Sequence, residues 1–202
     1  QAPDFIRSVP LWKAMEPHTM LALEMNDKPI PPLHGGPVRV LAPGFVGSAS
    51  VKWLEHVSVI AEEFDGPFMK RSYRAPRAED EKETYSLQSL EVKSLIVGPA
   101  DGTTLGPGRL TVWGGAWAGE GELTGLDLST DGGRTWKPAK LVGKWDRYSW
   151  RKWEYDWDAP AGSHTLMARA ADSLGRLQPP ARAANPLGYR WNVIHAVTVN
   201  VA

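Results

Sequence analysis

Cysteine is absent from all 202 residues of the sequence. Without thiols the chain can form no disulfide, can attach no haem through a Cys-x-x-Cys-His motif and can ligate no iron–sulfur cluster by cysteine. We therefore expect no haem or iron–sulfur centre in this chain. The same absence leaves open whether the protein works in a reducing or an oxidising compartment.

An excess of one sign of charge and a long apolar run are also missing. Lys plus Arg and Asp plus Glu number 23 each, so no global field favours nucleic acid or an anionic membrane. No apolar run approaches the roughly 20 residues that a membrane-spanning helix needs. We expect no nucleic-acid partner and no membrane span. Trp and Pro are abundant instead, at 10 and 17 residues, and indicate a loop-rich β protein with aromatic side chains in its core.

The stretch from residue 34 to residue 53 combines potential cations with an approachable backbone. Its cations and serines surround an apolar run and a glycine-bounded loop: His34, Arg39, Ser48, Ser50 and Lys52. Fixed cations and open amides suit a phosphate or another anion held against the backbone. A buried strand over residues 38–41 followed by a polar turn explains the same pattern, and the residues alone do not decide between the two.

The order of short motifs through this region is long and specific. In chain order the motifs are Leu23-Glu24-Met25-Asn26, His34-Gly35, Pro37-Val38-Arg39, Pro43-Gly44, Val46-Gly47 and Ser50-Val51-Lys52-Trp53-Leu54. This order resembles the second half of the molybdopterin domain of sulfite oxidases. The resemblance implies that five residues hold the molybdopterin cofactor: His34, Arg39, Ser50, Val51 and Lys52. Cationic donors would suit the phosphate of the pterin.

In sulfite oxidases a cysteine thiolate binds the molybdenum, and this chain has no cysteine to offer. We predict no metal ligand here. The chain also begins at Gln1, already inside the resembling pattern. We expect a fragment of such an enzyme or one chain of a split enzyme, which shares the molybdenum cofactor with a missing N-terminal half or another chain. A targeting segment would lie upstream.

A second basic stretch, residues 70–77, places four cations around Tyr73. In an arbitrary protein it would be a solvated strand end. The resemblance instead implies that Tyr73 faces the molybdenum and contacts the substrate, since a phenol can donate to an anionic oxygen. Arg71 and Arg74 are weaker candidates for binding sulfite, because guanidinium groups suit a doubly charged oxyanion.

One sulfite-pocket residue of the family has no clear counterpart. Animal sulfite oxidases carry an Arg in a Trp-Asn-Leu-Arg-Gly element near the C-terminus. The corresponding stretch here is Asn185-Pro186-Leu187-Gly188, without an Arg in that slot. Arg190 is the candidate substitute, and the sequence leaves its alignment open.

The chain changes character near residue 90. Alternation from Val57 to Ile60 predicts a strand, and a charged connection over residues 79–91 follows. Beyond it, Gly/Pro turns separate runs of period two, which predicts about seven strands in an immunoglobulin-like sandwich. The predicted fold is mainly β: a partial α+β molybdopterin-domain segment over residues 1–90, then an immunoglobulin-like β-sandwich over residues 91–202.

Two blocks of the second domain, residues 115–119 and 129–136, resemble the dimerisation domain attached to sulfite oxidases, and Gln178-Pro179 agrees with it. A sandwich without cysteine must fill its core with other side chains. We predict that large aromatics do so: Trp113, Trp117, Trp136, Trp153 and Trp157.

The segment from Asp127 to Gly132 imitates the start of an EF-hand calcium loop. The twelfth position, which requires a bidentate Glu, is Pro138, and no helices flank the segment, so we expect no calcium. The segment also looks like an Asp-box hairpin of sialidase propellers. A propeller would contain several copies of this motif, and this chain has one. We predict a hairpin turn in which Asp131 accepts hydrogen bonds from its own loop amides.

The resemblance implies a molybdenum-dependent enzyme that oxidises sulfite to sulfate and passes electrons to a cytochrome. Two alternatives share the two-domain plan: a eukaryotic nitrate reductase and a bacterial sulfane dehydrogenase subunit. A Trp-rich β-sandwich binding module without catalysis is a third. Because bacterial members are commonly exported, we expect the periplasm.

Sulfite oxidases often dimerise through this sandwich, which implies a self-complementary apolar patch. Trp145, Tyr148 and Trp150 lie close together among charged residues. Because aromatic and Arg residues are enriched at interfaces, we predict a homodimer contact there, with a cytochrome subunit as the alternative occupant.

Overall fold

The computed structural model describes residues 4–76, 83–181 and 187–202. The chain divides into two compact units. Unit 1 comprises Gln1–Leu90 with Ala184–Arg190, and unit 2 comprises Glu91–Ala183 with Trp191–Ala202. Residues 79–82 of the predicted charged connection lie outside the described residues, as do Asn185 and Pro186.

Unit 1 consists of short elements separated by prolines and glycines. In chain order they are α1 (Leu11–Ala14), β1 (Met20–Ala22), β2 (Glu24–Met25), β3 (Lys28–Pro29), a 3₁₀ helix (Pro32–His34), β4 (Arg39–Leu41), a 3₁₀ helix (Gly47–Ala49), α2 (Pro67–Lys70), β5 (Arg74–Pro76) and β6 (Thr84–Ser86). The strands pair antiparallel as β1–β4, β2–β3 and β5–β6. Pro32 and Pro67 stand in the first turns of their helices, where the N–H that proline lacks would have no helical acceptor.

The strand predicted from the alternation at residues 57–60 is absent, and that prediction was wrong. Val57 and Val59 are 65% and 87% exposed, and no described strand pairs with the segment. A period-two pattern forms a strand only where a neighbouring strand accepts its hydrogen bonds. The alternative interpretation of residues 38–41 as a strand holds for Arg39–Leu41, which form β4, although the side chains are half-buried rather than buried.

Unit 2 is the predicted sandwich of two sheets. Its nine strands in the described ranges are β7 (Lys93–Gly98), β8 (Thr104–Leu105), β9 (Gly108–Trp117), β10 (Leu123–Ser129), β11 (Lys137–Pro138), β12 (Lys140–Val142), β13 (Arg151–Ala159), β14 (Gly162–Asp172) and β15 (His195–Val201). One sheet has the order β11-β10-β14-β15-β8 and the other the order β12-β13-β9-β7. The β15–β8 pair is parallel and the other pairs are antiparallel.

Alternate residues of these strands form one buried core, as their period of two predicts. Trp153 is fully buried and Trp157 is 6% exposed, which confirms them as core residues. Trp113 is 40% exposed, while Trp117 and Trp136 are only half-buried, so those three predictions were wrong. Side-chain size alone does not indicate which face of a strand a residue occupies.

Strand parity explains where the tryptophans of β9 lie. Val112 and Ala116 are fully buried, so Trp113 and Trp117 must project from the opposite face of the sheet. Gly114 shares the inner face, and a Cβ there would stand 2.7 Å from the Trp153 ring. The glycine therefore makes room for the indole that fills the core.

Two polar side chains tie the two sheets together. The Oε1 of Gln178, which is fully buried, accepts from the N–H of Ser94 at 3.0 Å and from that of Ala170 at 3.2 Å. The Nδ1 of His195 accepts from the N–H of Ile96 at 3.0 Å. Each contact joins the sheet that contains β7 to the sheet that contains β14 and β15.

The loop after β10 is the predicted self-bonded hairpin turn. The Asp131 carboxylate accepts from the N–H of Thr135 at 2.9 Å, from its Oγ1 at 2.6 Å and from the Ser129 hydroxyl at 2.7 Å. These bonds lower the pKa of Asp131. The described residues contain no group of His, Cys, Asp and Glu that could hold a metal ion, and none of their helices is long and apolar enough to cross a membrane.

Candidate active site

A glycine brings the two halves of the predicted cofactor-binding stretch together. His34 ends a 3₁₀ helix, and Gly35 follows with φ +98°, in the left-handed region that favours glycine. A Cβ on Gly35 would stand 2.5 Å from the Cβ of Lys52. The segment after His34 therefore packs directly on the backbone beside Lys52.

Two cations anchor this cluster through backbone carbonyls. The guanidinium of Arg39 donates from Nη1 to the carbonyl of His34 at 2.8 Å and from Nη2 to that of Ser50 at 3.3 Å. The Nζ of Lys52 donates to the carbonyl of Leu33 at 3.0 Å. The structure thus brings together four of the predicted cofactor residues, which we call the anion cluster: His34, Arg39, Ser50 and Lys52.

Ser50 and Val51 contribute through hydrogen bonds that shape the cluster. The Ser50 hydroxyl accepts from the N–H of Ala42 at 3.1 Å, and the carbonyl of Val51 accepts from the N–H of Val40 at 2.8 Å. Both bonds fasten the loop after β4 to the strand. His34 and Lys52 are exposed, so the imidazole of the first and the ammonium of the second are accessible to a ligand.

The unsatisfied groups of this region test whether it fits the molybdopterin phosphate. The Nε of Arg39 and the hydroxyl of Ser48 are buried without a hydrogen-bond partner. Within the described residues no carboxylate forms an ion pair with Arg39 or Lys52. Uncompensated cations and an orphaned hydroxyl suit an anionic ligand, since only another group can satisfy them. The residues therefore fit the phosphate.

Tyr73 lies in a second cluster of unit 1. It has φ +54°, and its carbonyl accepts from the N–H of Leu87 at 2.7 Å. The guanidinium carbon of Arg7 lies 5.0 Å from the centroid of its ring, and the ring of Tyr189 lies 5.6 Å away. The Tyr73 hydroxyl has no hydrogen-bond partner among the described residues, which leaves it able to donate to a bound anion.

Sequence reasoning missed Arg7 and Tyr189. Nothing local marks either residue, because Arg7 precedes the basic stretch by more than 60 positions and Tyr189 follows Tyr73 by 116. Arg7 donates to the carbonyls of Phe68 and Leu87, which flank Tyr73 in the fold. Burial lowers the pKa of Arg7.

The weaker substrate-binding candidates differ in how far their side chains are already engaged. Arg74 donates to the carbonyl of Met69 at 2.8 Å and to both the hydroxyl and the carbonyl of Thr84. Arg190 lies over the ring of Tyr85, with 5.9 Å between guanidinium carbon and centroid. Arg71 follows α2 and is exposed. Arg74 is thus used locally, whereas Arg71 is the more accessible cation.

Family models match both parts of the chain. Residues 1–68 match the oxidoreductase molybdopterin binding domain, and residues 84–202 match the Mo-co oxidoreductase dimerisation domain. The chain belongs to the Mo-co oxidoreductase dimerisation domain family. The match of residues 84–202 confirms the mainly β fold with an immunoglobulin-like second domain. The match of residues 1–68 confirms the prediction that the cofactor is molybdopterin.

Relatives of this family member include sulfite oxidases. The chain is 40% identical to the mitochondrial sulfite oxidase of Homo sapiens over 96% of its own length and 39% of that protein, and 32% identical to the sulfite oxidase of Arabidopsis thaliana over 85% and 49%. It is 30% identical to an inducible nitrate reductase [NADH] of Glycine max over 96% and 25%. The predicted resemblance to sulfite oxidases is confirmed, and the chain spans about two-fifths of the length of the human relative.

A solved structure supports the same assignment. The sulfane dehydrogenase SoxCD of Paracoccus pantotrophus superimposes with a TM-score of 0.83 at 27% identity, covering 97% of this chain and 54% of that one. Sulfite oxidases, a nitrate reductase and a sulfane dehydrogenase therefore share this fold. The choice among their substrates depends on the site rather than on the fold.

Proposed function

We propose that this chain is part of a molybdenum-cofactor-dependent enzyme that oxidises sulfite to sulfate. Residues 1–90 form the C-terminal part of the molybdopterin-binding domain, and residues 91–202 form the dimerisation domain. The observation that carries the proposal is the anion cluster with its uncompensated cations in a chain related to sulfite oxidases. When bound, the cofactor supplies oxygen transfer and the two-electron redox step.

The protein's own residues bind and orient the anions. Arg39 and Lys52, held by the carbonyls of His34 and Leu33, stabilise the pterin phosphate. The Tyr73 hydroxyl donates to an oxygen of sulfite, and Arg71 adds positive charge near it. The oxidation takes an oxygen from water and releases two protons to solvent and two electrons, and the electrons leave to a cytochrome acceptor in another domain or protein.

The exposed apolar surface of unit 1 supports the proposal that an upstream segment completes its domain. Large apolar side chains of this unit are exposed in the described residues: Leu11, Trp12, Met15, Leu21, Leu23, Leu33, Trp53, Val57, Val59 and Ile60. Monomeric proteins rarely leave so much apolar surface in water. The upstream part of the molybdopterin-binding domain covers it and supplies the cysteine that binds the metal.

Steady-state kinetics on the complete protein, with its upstream part, tests this function. We expect sulfite-dependent reduction of a cytochrome, with no reduction of nitrate and no oxidation of a sulfane substrate. Nitrate reduction or sulfane oxidation in place of sulfite oxidation would establish one of the alternative substrates. Absence of all three activities would favour a binding module without catalysis. Fractionation of the native organism tests the expected periplasmic location, which a cytosolic location would contradict.

We also propose a homodimer through the outer face of the sheet that contains β9 and β13. Trp150, 60% exposed, packs against Trp117 with ring centroids 4.1 Å apart at 45° and covers Gly115, while Trp113 extends the patch. Trp145 and Tyr148 are half-buried, so Trp150 carries most of the predicted aromatic contact.

The match of residues 84–202 to a dimerisation domain favours a second copy of the chain as the occupant. The outward charges of β13 are largely paired within the chain, Lys152 with Glu154 at 2.7 Å and Asp156 with Arg109 at 2.7 Å. A two-fold axis through the aromatic patch would therefore bury apolar surface of both copies without leaving these charges unpaired. Sedimentation velocity on the complete protein should give a dimer mass, which Trp150→Glu lowers and Leu174→Glu, at an equally exposed turn position, leaves unchanged. A monomer mass for the unaltered protein would contradict the proposal.

A further inference from the structure

Tyr73 adopts a backbone conformation that its residue type disfavours. Its φ of +54° lies in the left-handed region, where a bulky side chain crowds its own backbone. Such a conformation persists only where the surrounding structure holds it in place. The contacts that hold Tyr73 therefore determine where its ring and hydroxyl stand.

Both backbone polar groups of Tyr73 are engaged. Its carbonyl accepts from the N–H of Leu87 at 2.7 Å, next to the strand pair β5–β6. Its N–H donates to the hydroxyl of Tyr189 at 3.3 Å. The first bond is a backbone contact that any residue could make, whereas the second depends on one side chain 116 positions away.

The ring of Tyr73 is held by the same neighbour. The rings of Tyr73 and Tyr189 lie 5.6 Å apart at 32°, and Phe5 meets Tyr73 edge-on at 6.3 Å. Arg7 contacts the ring at 5.0 Å. Tyr189 is the one residue among these that contacts both the backbone and the ring of Tyr73.

We propose that Tyr189 is a positioning residue for substrate binding. It fixes the left-handed backbone and the ring plane of Tyr73, so that the Tyr73 hydroxyl is presented to an oxygen of the anionic substrate. This inference rests on the proposed substrate contact of Tyr73. Tyr189 itself acts through Tyr73 and needs no contact with the substrate.

Amide hydrogen exchange on the complete protein, resolved to single residues by mass spectrometry, tests the positioning directly. Tyr189→Phe keeps the ring and removes the hydroxyl, so exchange at the Tyr73 amide should become roughly threefold to tenfold faster. Tyr148→Phe is the matched control, since Tyr148 also has a positive φ but lies in unit 2. This control should leave exchange at the Tyr73 amide unchanged. Unchanged exchange at the hydrogen-bonded amides of Val40 and Leu54, which also lie in unit 1, shows that this unit of the variant is folded. If Tyr73 exchange is the same in Tyr189→Phe and the unaltered protein, the proposal is wrong.

Kinetics then separate this inference from the proposed function. Tyr189→Phe should raise the sulfite KM roughly threefold to tenfold, with a smaller change in kcat, because it disturbs binding geometry. In a Tyr73→Phe background the same substitution should change KM little, because the Tyr73 hydroxyl through which Tyr189 acts is absent. Equal effects in both backgrounds would overturn the proposal. If Tyr73→Phe alone matches the unaltered enzyme, the substrate contact fails, and the exchange experiment still decides the positioning.

Discussion

The two units differ in how much of their apolar surface they bury. Unit 2 packs 17 buried residues of its described strands and loops into one cluster around Trp153. The principal apolar cluster of unit 1, within the described residues, contains Ala42, Phe45 and Ala49, with Val9 against it. Unit 1 also exposes large side chains such as Leu33 and Val59, at 84% and 87%. Unit 2 thus has a complete hydrophobic core, whereas unit 1 exposes apolar side chains that we expect another part of the protein to cover.

Buried polar groups without a hydrogen-bond partner occur in both units. In unit 2 they include the Nε1 of Trp153 and the Nε of Arg151. In unit 1 they include the Nε of Arg39 and the hydroxyl of Ser48, which lie in the stretch that matches the molybdopterin binding domain. An unsatisfied polar group suits a ligand only where its surroundings also suit one. The position of these two groups, together with the missing partners, supports the binding role proposed for unit 1.

The largest expected effect is on the core of unit 2. Trp153→Ala removes a fully buried indole and should lower the free energy of unfolding by about 3–5 kcal/mol. Trp113→Ala, on the outer face of the same sheet, should cost about 1 kcal/mol or less. Urea denaturation followed by far-UV circular dichroism measures both. Equal losses would show that the core assignment of unit 2 is mistaken.

The second-largest expected effect is on cofactor retention by unit 1. Lys52→Ala removes a cation from the anion cluster and should weaken retention of the molybdenum cofactor roughly tenfold in the complete protein. Lys28→Ala, an exposed cation of β3, is the control and should retain the cofactor. Molybdenum retained after dilution is the measured quantity. Normal retention in Lys52→Ala would remove this residue from the site.

A smaller effect is expected at Tyr73. Tyr73→Phe deletes a hydroxyl that has no hydrogen-bond partner among the described residues and should raise the sulfite KM or lower kcat by roughly fivefold. Cofactor content should stay unchanged, because the substitution leaves the anion cluster intact. Kinetics identical to those of the unaltered enzyme would contradict the substrate contact.

The smallest effect concerns pH and unit 2. Burial, with the charge of Lys93, lowers the pKa of His195, whose neutral ring accepts a hydrogen bond from Ile96. Because the pKa is lowered in the folded state, the contribution of neutral His195 to the free energy of unfolding is fully present above the unfolded pKa of about 6.5. This contribution is lost as the pH falls towards the lower pKa of the folded state. Urea denaturation of His195→Gln and the unaltered chain, between about pH 7.5 and 5, should show a difference in stability that shrinks with acid. A difference that is independent of pH would contradict this role.

Much of unit 2 follows from the sequence. Runs such as Leu126 and Leu128 alternate with polar residues between glycine turns, and the physics of a pleated sheet turns that pattern into a buried face. The Asp131 turn was predictable because its partners are local. The tryptophans of β9 were misplaced because residue size was used where strand parity decides.

Unit 1 was less predictable from its own residues. The anion-binding role of its cluster was predicted from motif order and stays a prediction, and local cations alone left two interpretations open. Alternation at residues 57–60 produced a false strand because no partner strand exists in the described residues. Tyr189 and Arg7 were missed because tertiary contacts over long sequence separations leave no local pattern.

Metal analysis of the complete protein, including its upstream part, tests the central claim most directly. If unit 1 forms part of a molybdopterin-binding domain, the purified protein contains molybdenum in proportion to protein, and Arg39→Ala together with Lys52→Ala removes most of it while unit 2 stays folded by far-UV circular dichroism. A correctly folded complete protein without molybdenum, or one that keeps its molybdenum after both substitutions, would contradict the account.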